Sequence, residues 1–321
     1  MQGLVTVFGG SGFIGSQVVR ALAKDKAVRI RVACRNVGRG YKLRMLGDVG
    51  QIEVVQANVR DAASVARALD GAEAAINLVA VAYESGPQTF QSTMIEGATT
   101  IAQAAAARGI STFIQMSALG ADADSPSKYA RAKAEGEAAV RGLIPSATVI
   151  RPSVVFGQDD DFFNRFAAMA TMPPWALPLI GGGHTRFQPV YVGDVAAAIA
   201  KALHAPQARG ATYELGGPAT YSFKDLMELI KAETGHKAAL VPLPWDGAKL
   251  IGTLAGLASF AIKPPITTDQ VELLRTDNVV SGQCPGLAEL GVQATALEPI
   301  LPTYLYRFRK GGQFADIEAK V

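Results

Sequence analysis

Seven residues near the start, Gly9-Gly10-Ser11-Gly12-Phe13-Ile14-Gly15, restrict the fold of this chain more than any other stretch. They follow directly on an apolar run, residues 4–8, and lead into a stretch of helical character over about residues 12–23. A buried strand, a glycine-dense turn and a helix in that order open a βαβ unit whose turn approaches a phosphate. Gly9 permits the tight turn, Gly12 admits the pyrophosphate to the backbone, and Gly15 lets the helix lie close on the strand. Ser11, Phe13 and Ile14 complete the loop and the helix start, where unpaired N–H groups face the anion.

The same rhythm continues. Short apolar runs recur at residues 30–34, 52–56, 75–81, 112–116 and 148–150, with helical stretches between them, among them 90–107 and about 129–141. Such runs mean strands buried on both faces of a parallel sheet, and right-handed crossovers then yield a doubly wound, Rossmann-type α/β fold. Beyond residue 157 the pattern loosens. Met172-Pro173-Pro174 and Gly181-Gly182-Gly183 break the chain, a strand–helix unit returns over 187–203, and Pro-rich turns follow. The expected organisation is a dinucleotide-binding domain, residues 1–157 plus about 187–205, and a smaller, irregular C-terminal cap or docking domain from about 158–186 and 206–321.

Composition excludes several classes. Of 321 residues 49% are apolar and 18% charged, so there is ample material for a core and disorder is ruled out. A net charge of +3 without a Lys/Arg run gives no footprint for nucleic acid. Cys34 and Cys284 are too few for a disulfide framework and fit a reducing compartment. Residues 1–7 have neither the basic region nor the apolar core of a targeting segment, and no run reaches the ~18 apolar residues of a membrane span. A cytoplasmic protein is the expectation. His184, His204 and His236 lack ligand spacing, and Asp159-Asp160-Asp161 suits the cap of a helix starting near Phe162, so no metal is expected.

The ends of the remaining apolar runs supply the other candidate contacts. Arg35 closes the second run, with Arg39 and Lys42 behind it, at a place where NAD proteins put a carboxylate on the ribose 2′-OH. A guanidinium instead clamps a 2′-phosphate, which favours NADP(H) over NAD(H). Asn58 and Val59 close the third run, where the Asn amide can hydrogen-bond an adenine. Leu78, Val79 and Ala80 close the fourth and leave room for the cofactor ribose. Tyr129 and Lys133 stand i, i+4 on one helix face, where an ammonium favours phenolate. Ser117 follows the fifth run.

The G-x-x-G-x-x-G loop, Tyr129-x-x-x-Lys133, Ile150-Arg151-Pro152-Ser153-Val154-Val155-Phe156-Gly157 and Phe187-Gln188-Pro189-Val190-Tyr191-Val192-Gly193-Asp194-Val195-Ala196 together resemble the short-chain dehydrogenase/reductase superfamily, particularly its extended and atypical branches. The resemblance implies that Tyr129 is the acid/base, that Lys133 holds the nicotinamide ribose, that Ser117 polarises a carbonyl and that Pro152 lies beside the cofactor. Two departures stand out. Ala118 follows Ser117 in place of a second Ser, and Met94 stands where the family carries an Asn three residues before Gly97. Methionine anchors no proton-relay water, so the relay is incomplete around an intact cleft.

Residues 115–137 and 155–166 resemble one atypical group more closely, the NAD(P)H-binding accessory subunits of respiratory complex I in their bacterial form. That resemblance implies a structural, tightly held nucleotide. It also implies docking on the peripheral-arm subunits near the quinone site, at the cytoplasmic face of the bacterial inner membrane. Two alternatives stay open: an active NADP-dependent reductase or isomerase on a small carbonyl or sugar-nucleotide-like substrate, and an NADP(H)-sensing regulator. Residues 250–262, flanked by Trp245, Lys249 and Lys263, and the aromatic–cationic stretch 304–310 suit a partner surface or anionic lipid. A buried helix for the first, and an edge strand or a final helix turn for the second, suit them equally.

Overall fold

A computed structural model describes residues 3–257 and 267–312. The chain forms two compact units: Met1–Pro152, Val192–Leu215 and Val280–Gln293 make up unit 1, and Ser153–Tyr191, Gly216–Val279 and Ala294–Val321 make up unit 2.

In unit 1, strands β1 (Gly3–Phe8), β2 (Val28–Cys34), β3 (Ile52–Gln56), β4 (Ala74–Asn77), β5 (Thr112–Met116), β6 (Thr148–Pro152) and β7 (Thr212–Leu215) form one sheet. Its order is β7-β6-β5-β4-β1-β2-β3, with parallel pairing throughout. Successive residues of β1 point to opposite faces, yet Val5, Thr6, Val7 and Phe8 are all buried, so both faces are covered. The buried Thr6 hydroxyl is satisfied by donating to the Ala68 carbonyl at 2.8 Å. Helices α1 (Phe13–Leu22), α2 (Ala62–Ala68), α3 (Glu96–Ala106), α4 (Lys128–Leu143) and α5 (Val192–His204) belong to the same unit. The strand order reverses between β1 and β4, and this switch point opens a crevice beyond the strand ends.

Three elements differ from the sequence expectation. β7 joins the sheet beside β6 from residues that carry no apolar run and that the sequence assigns to the cap. The apolar run 75–81 leaves the sheet at Asn77, whose side-chain oxygen takes the Val79 N–H at 3.1 Å. Leu78, Val79 and Ala80 therefore lie in the loop past the strand. The stretch 90–107 is not one α-helix either: Gln91–Ile95 winds as a π-helix before α3 begins.

Unit 2 packs around aromatic rings, including Phe156, Phe163, Phe166, Phe187 and Phe223. Phe162 meets Phe163 and Phe166 edge-on, each at 5.1 Å between centroids. Short strand pairs frame it, the longest being Ala176–Ile180 with Ala239–Leu243. The helix Phe223–Thr234 starts at a capping box of Ser222 and Asp225 and stops at Gly235 in the left-handed region, φ +69.

The two candidate surface segments resolve differently. Residues 304–310 form no strand: Pro302–Leu305 runs into the turn Tyr306–Phe308, the final helix turn among the readings the sequence left open, and Tyr306, Arg307 and Lys310 are exposed. Tyr304 and Leu305 are buried, Arg307 reaches the Gln158 carbonyl at 3.2 Å, and Arg309 pairs with Glu233 at 2.9 Å. Of the apolar stretch 250–262, residues 258–262 lie outside the described residues, as does Lys263. The helix Trp245–Leu257 exposes Leu250 and Ile251, whereas Trp245 stacks under Arg275 and Lys249 pairs with Glu272 at 2.9 Å. Among the described residues no helix is long and apolar enough to cross a membrane.

Candidate functional site

The glycine loop has two kinds of constraint. Gly9 sits in the left-handed region, φ +76, with its N–H on the Ala33 carbonyl at 3.1 Å. A Cβ on Gly15 would lie 2.3 Å from the Gly9 oxygen and 2.6 Å from the Gly10 Cα, so the helix can approach the loop only without one. Gly12 is different. A Cβ there would meet a single protein atom, the Gly9 oxygen at 3.3 Å. Gly12 is exposed at the N-cap of α1, and no side chain caps the helix. The chain itself barely restricts this position, while the uncapped N–H groups beside it suit an anion.

A cleft opens at this loop. It gathers Gly9, Ser11 and Gly12 with Arg35 and Arg39 after β2, Asn58, Val59 and Arg60 after β3, and Leu78, Val79 and Ala80 after β4. Phe13, Ile14 and Gly15 lie behind the loop on α1, and Lys42 lies off the lining on the turn Tyr41–Leu46. Arg60, which the sequence did not single out, adds a third cation. The Asn58 side-chain oxygen accepts the Arg60 N–H at 3.2 Å, which turns the Asn58 amide group toward donation. Under the β4 loop, Asn77 and Gln115 form a buried amide pair at 2.9 Å that holds the ends of β4 and β5 together. Cys34 also lines the cleft, and burial raises its thiol pKa, against a Ser11 hydrogen bond that lowers it.

The second group stands outside that lining. Tyr129 is half-buried, packs edge-on against Phe90 at 5.8 Å, and joins a cluster with Met94, Ala132 and the lining residue Val81. Lys133 is buried, with its Nζ 5.6 Å from the Tyr129 ring centroid and donating to the Met116 carbonyl at 3.3 Å. Burial lowers its pKa from 10.5 to about 8, and the Glu137 carboxylate opposes that shift. Glu137, one turn further along α4, is clamped by Arg151 of β6 through bonds of 2.9 and 2.6 Å. Pro152 ends β6 and accepts the Leu119 N–H at 3.0 Å.

Among the described residues, two buried hydroxyls have no hydrogen-bond partner, Ser117 Oγ and Thr93 Oγ1. Leaving a buried hydroxyl unpaired costs about 1–3 kcal/mol, so each carries a hydrogen bond that the protein itself does not take up. Thr93 lines the cleft from the π-helix, a turn type common at functional sites. Its neighbour Met94 is buried in the apolar cluster and offers no donor, so the relay position stays without a polar group. The loop, the uncapped helix start and the vacant Thr93 hydroxyl together fit a dinucleotide.

Known proteins agree with this geometry. Residues 5–216 match the model of the NAD dependent epimerase/dehydratase family. The chain is 38% identical over 299 residues to mitochondrial NADH dehydrogenase (ubiquinone) 1 alpha subcomplex subunit 9 of Mus musculus, covering 92% of this chain and 78% of that protein. It is 30% identical over 279 residues to the ceramide reductase of Caulobacter vibrioides, covering 86% of each. The structure of UDP-glucuronic acid 4-epimerase from Bacillus cereus, solved with UDP-glucuronic acid and NAD, matches with a TM-score of 0.72 at 16% identity over 95% of this chain and 98% of that one.

Proposed function

The chain belongs to the NAD-dependent epimerase/dehydratase family, and from that premise we propose that it holds NADP(H) as a resident nucleotide in a non-catalytic accessory subunit of a respiratory NADH:ubiquinone oxidoreductase. The observation that carries this reading is homology across 92% of the chain to a mitochondrial subunit of that name. Met94 at the relay position supports it, because a nucleotide that is never turned over needs no proton relay.

Three cations favour a 2′-phosphate. Arg35, Arg39 and Arg60 line one cleft, and no carboxylate lines it among the described residues. The glycine loop and the start of α1 take the pyrophosphate, Asn58 and Val59 take the adenine, and Leu78, Val79 and Ala80 lie along the ribose. Lys133 and Tyr129 hold the nicotinamide half, with Ser117 and Pro152 beside it. When bound, the nicotinamide ring supplies hydride-transfer chemistry. This chain's residues bind and orient the nucleotide. Docking at the peripheral arm, on the cytoplasmic face of the inner membrane, draws support from Leu250 and Ile251, which expose 62% and 43% of their surface. Such a patch fits a partner subunit or the edge of an anionic lipid layer.

The test is capture of the tagged chain from native membranes, followed by identification of its companions and of the nucleotide freed on denaturation. Subunits of the oxidoreductase and stoichiometric NADPH are expected. A chain that is free of both overturns the reading. Arg35→Asp is expected to weaken NADPH at least about tenfold, a loss of roughly 1.4 kcal/mol, and to leave NADH nearly unchanged. Equal effects on the two nucleotides defeat the assignment of the 2′-phosphate.

A second reading, an active reductase, is favoured by the similarity to a ceramide reductase and by the vacant Ser117 hydroxyl. Turnover of NADPH with a carbonyl substrate that disappears in Tyr129→Phe would establish it in place of the first.

A further inference from the structure

The rim of the cleft carries an arrangement that phosphate binding alone does not account for. After the β4 loop the chain folds back on itself, and Ser85 and Gln88 exchange backbone hydrogen bonds of 3.0 and 3.1 Å. The turn is pinned at Pro87, whose carbonyl accepts from Arg60 Nη1 at 3.0 Å and from Ser92 Oγ at 2.9 Å. Glu84 secures the far side by accepting the Phe90 N–H at 3.0 Å. So held, the turn presents Gln88, half-buried, to the cleft, and Gln88 Oε1 accepts from Arg35 Nη1.

We propose that Gln88 is a positioning residue for the 2′-phosphate: it fixes the Arg35 guanidinium so that its free N–H edge faces the phosphate. The inference rests on the reading of the site as one for NADP(H). An arginine has five N–H donors in a rigid plane. One is spent on Gln88, and the remaining Nε and Nη2 edge forms the fork that grips two phosphate oxygens at once. Arg35 is exposed, so without a partner its long side chain would lose much rotamer freedom on binding. A contact that holds it in place beforehand removes part of that loss, and only a ligand with a 2′-phosphate gains from it. Gln88 thus sets selectivity without touching the reacting end of the nucleotide.

The experiment compares the full chain with Gln88→Ala and Gln88→Glu. Each is titrated with NADPH and NADH, and with the fragments 2′,5′-ADP and 5′-AMP, and thermal melts confirm that the variants are folded. In Gln88→Ala, NADPH and 2′,5′-ADP are expected to weaken about three- to tenfold while NADH and 5′-AMP stay within about twofold. In Gln88→Glu the loss is larger, because the new carboxylate neutralises Arg35 and repels the phosphate. If Gln88→Ala lowers both nucleotides equally, or neither, the positioning role is overturned while the NADP(H) reading stands. If the unaltered chain shows no preference for a 2′-phosphate, the underlying reading fails and this inference fails with it.

Discussion

At the scale of the residue, Gly12 and Gly15 separate folding from binding. Gly15→Ala drives a Cβ to 2.3 Å from backbone, which cannot swing aside as a side chain would. Overpacking costs about 1–3 kcal/mol, and the upper end is expected here from the shift in urea midpoint. Gly12→Ala meets one atom at 3.3 Å and should stay within about 1 kcal/mol of the native stability, the usual cost of Ala at an N-cap. Its nucleotide affinity, by calorimetry, should nevertheless fall at least about tenfold, or roughly 1.4 kcal/mol. Undiminished affinity would mean that no pyrophosphate lies at the start of α1. Lys133 gives a pH signature. Its pKa falls from 10.5 to about 8, chiefly through burial, so between those values the folded chain binds fewer protons than the unfolded one. Stability contributed by this group therefore rises with pH across that window, and the penalty is fully present below pH 8. The penalty is on the order of 3 kcal/mol. Lys133→Met removes it. The stability gap between variant and native, read from urea midpoints, should be greatest near pH 7.5 and shrink toward pH 10. Glu137 is not left bare in that variant, because Arg151 keeps hold of it.

At the scale of the element, the helix Phe162–Thr171 shows how one buried carboxylate organises a terminus. Of the three consecutive Asp residues, only Asp160 is buried. It accepts the Phe163 N–H at 2.7 Å and the Asn164 N–H at 3.2 Å, and takes the Gly157 N–H and the Tyr304 hydroxyl on its other oxygen. Burial raises its pKa, and the Tyr304 hydrogen bond is the first of the contacts that hold it down. Tyr304→Phe should cost about 1–3 kcal/mol at neutral pH. A carboxyl whose folded pKa is raised loses stability as pH climbs above its unfolded value of 3.8. The variant raises that pKa further, so its deficit should be larger at pH 7 than at pH 4.5 in chemical unfolding. A deficit independent of pH would show that the hydroxyl does not act through Asp160. The capping role was legible in the sequence as a run of Asp before an aromatic segment. Which Asp serves was not, because that depends on Tyr304, which lies 144 positions away. The same limit hid Arg60 and Thr93. Arg60 reads as an ordinary cation before the α2 cap at Asp61, and the π-turn that brings Thr93 to the cleft wall leaves no periodic trace. The first six strands of the sheet were legible because each is a short apolar run, whereas β7, Thr-Tyr-Glu-Leu, shows no such run. The fourth run extended past its strand, since loop residues lining a cleft are apolar too. The 304–310 stretch read equally as a surface and as a final helix turn, because alternating rings and cations do not say where each side chain goes: Tyr304 enters the core, Arg307 and Arg309 reach nearby carbonyls, and Tyr306 and Lys310 are exposed.

At the scale of the whole molecule, the chain leaves unit 1 after Leu215 and returns to it at Val280–Gln293. The return is fastened to β7: Glu214 accepts the Ser281 N–H at 2.6 Å and donates its own N–H to the Pro285 carbonyl at 2.9 Å. Every residue lining the candidate nucleotide cleft belongs to unit 1, so a bound nucleotide stabilises that unit against unfolding. A ligand at 100 times its Kd adds about 2.7 kcal/mol to a native state that alone binds it. For a domain of this size each kcal/mol moves Tm by about 2–4 °C, so saturating NADPH should raise the transition of unit 1 by about 5–10 °C. NADH at the same concentration should raise it less, by the share that Arg35 and its neighbours contribute. In Arg35→Asp the two nucleotides should give equal shifts. If the nucleotide is resident, the purified chain already melts at the higher temperature, and stripping it by partial unfolding and desalting lowers Tm by the same amount until NADPH is restored. Added NADPH that moves neither the purified nor the stripped chain would remove the nucleotide from the account of this fold altogether.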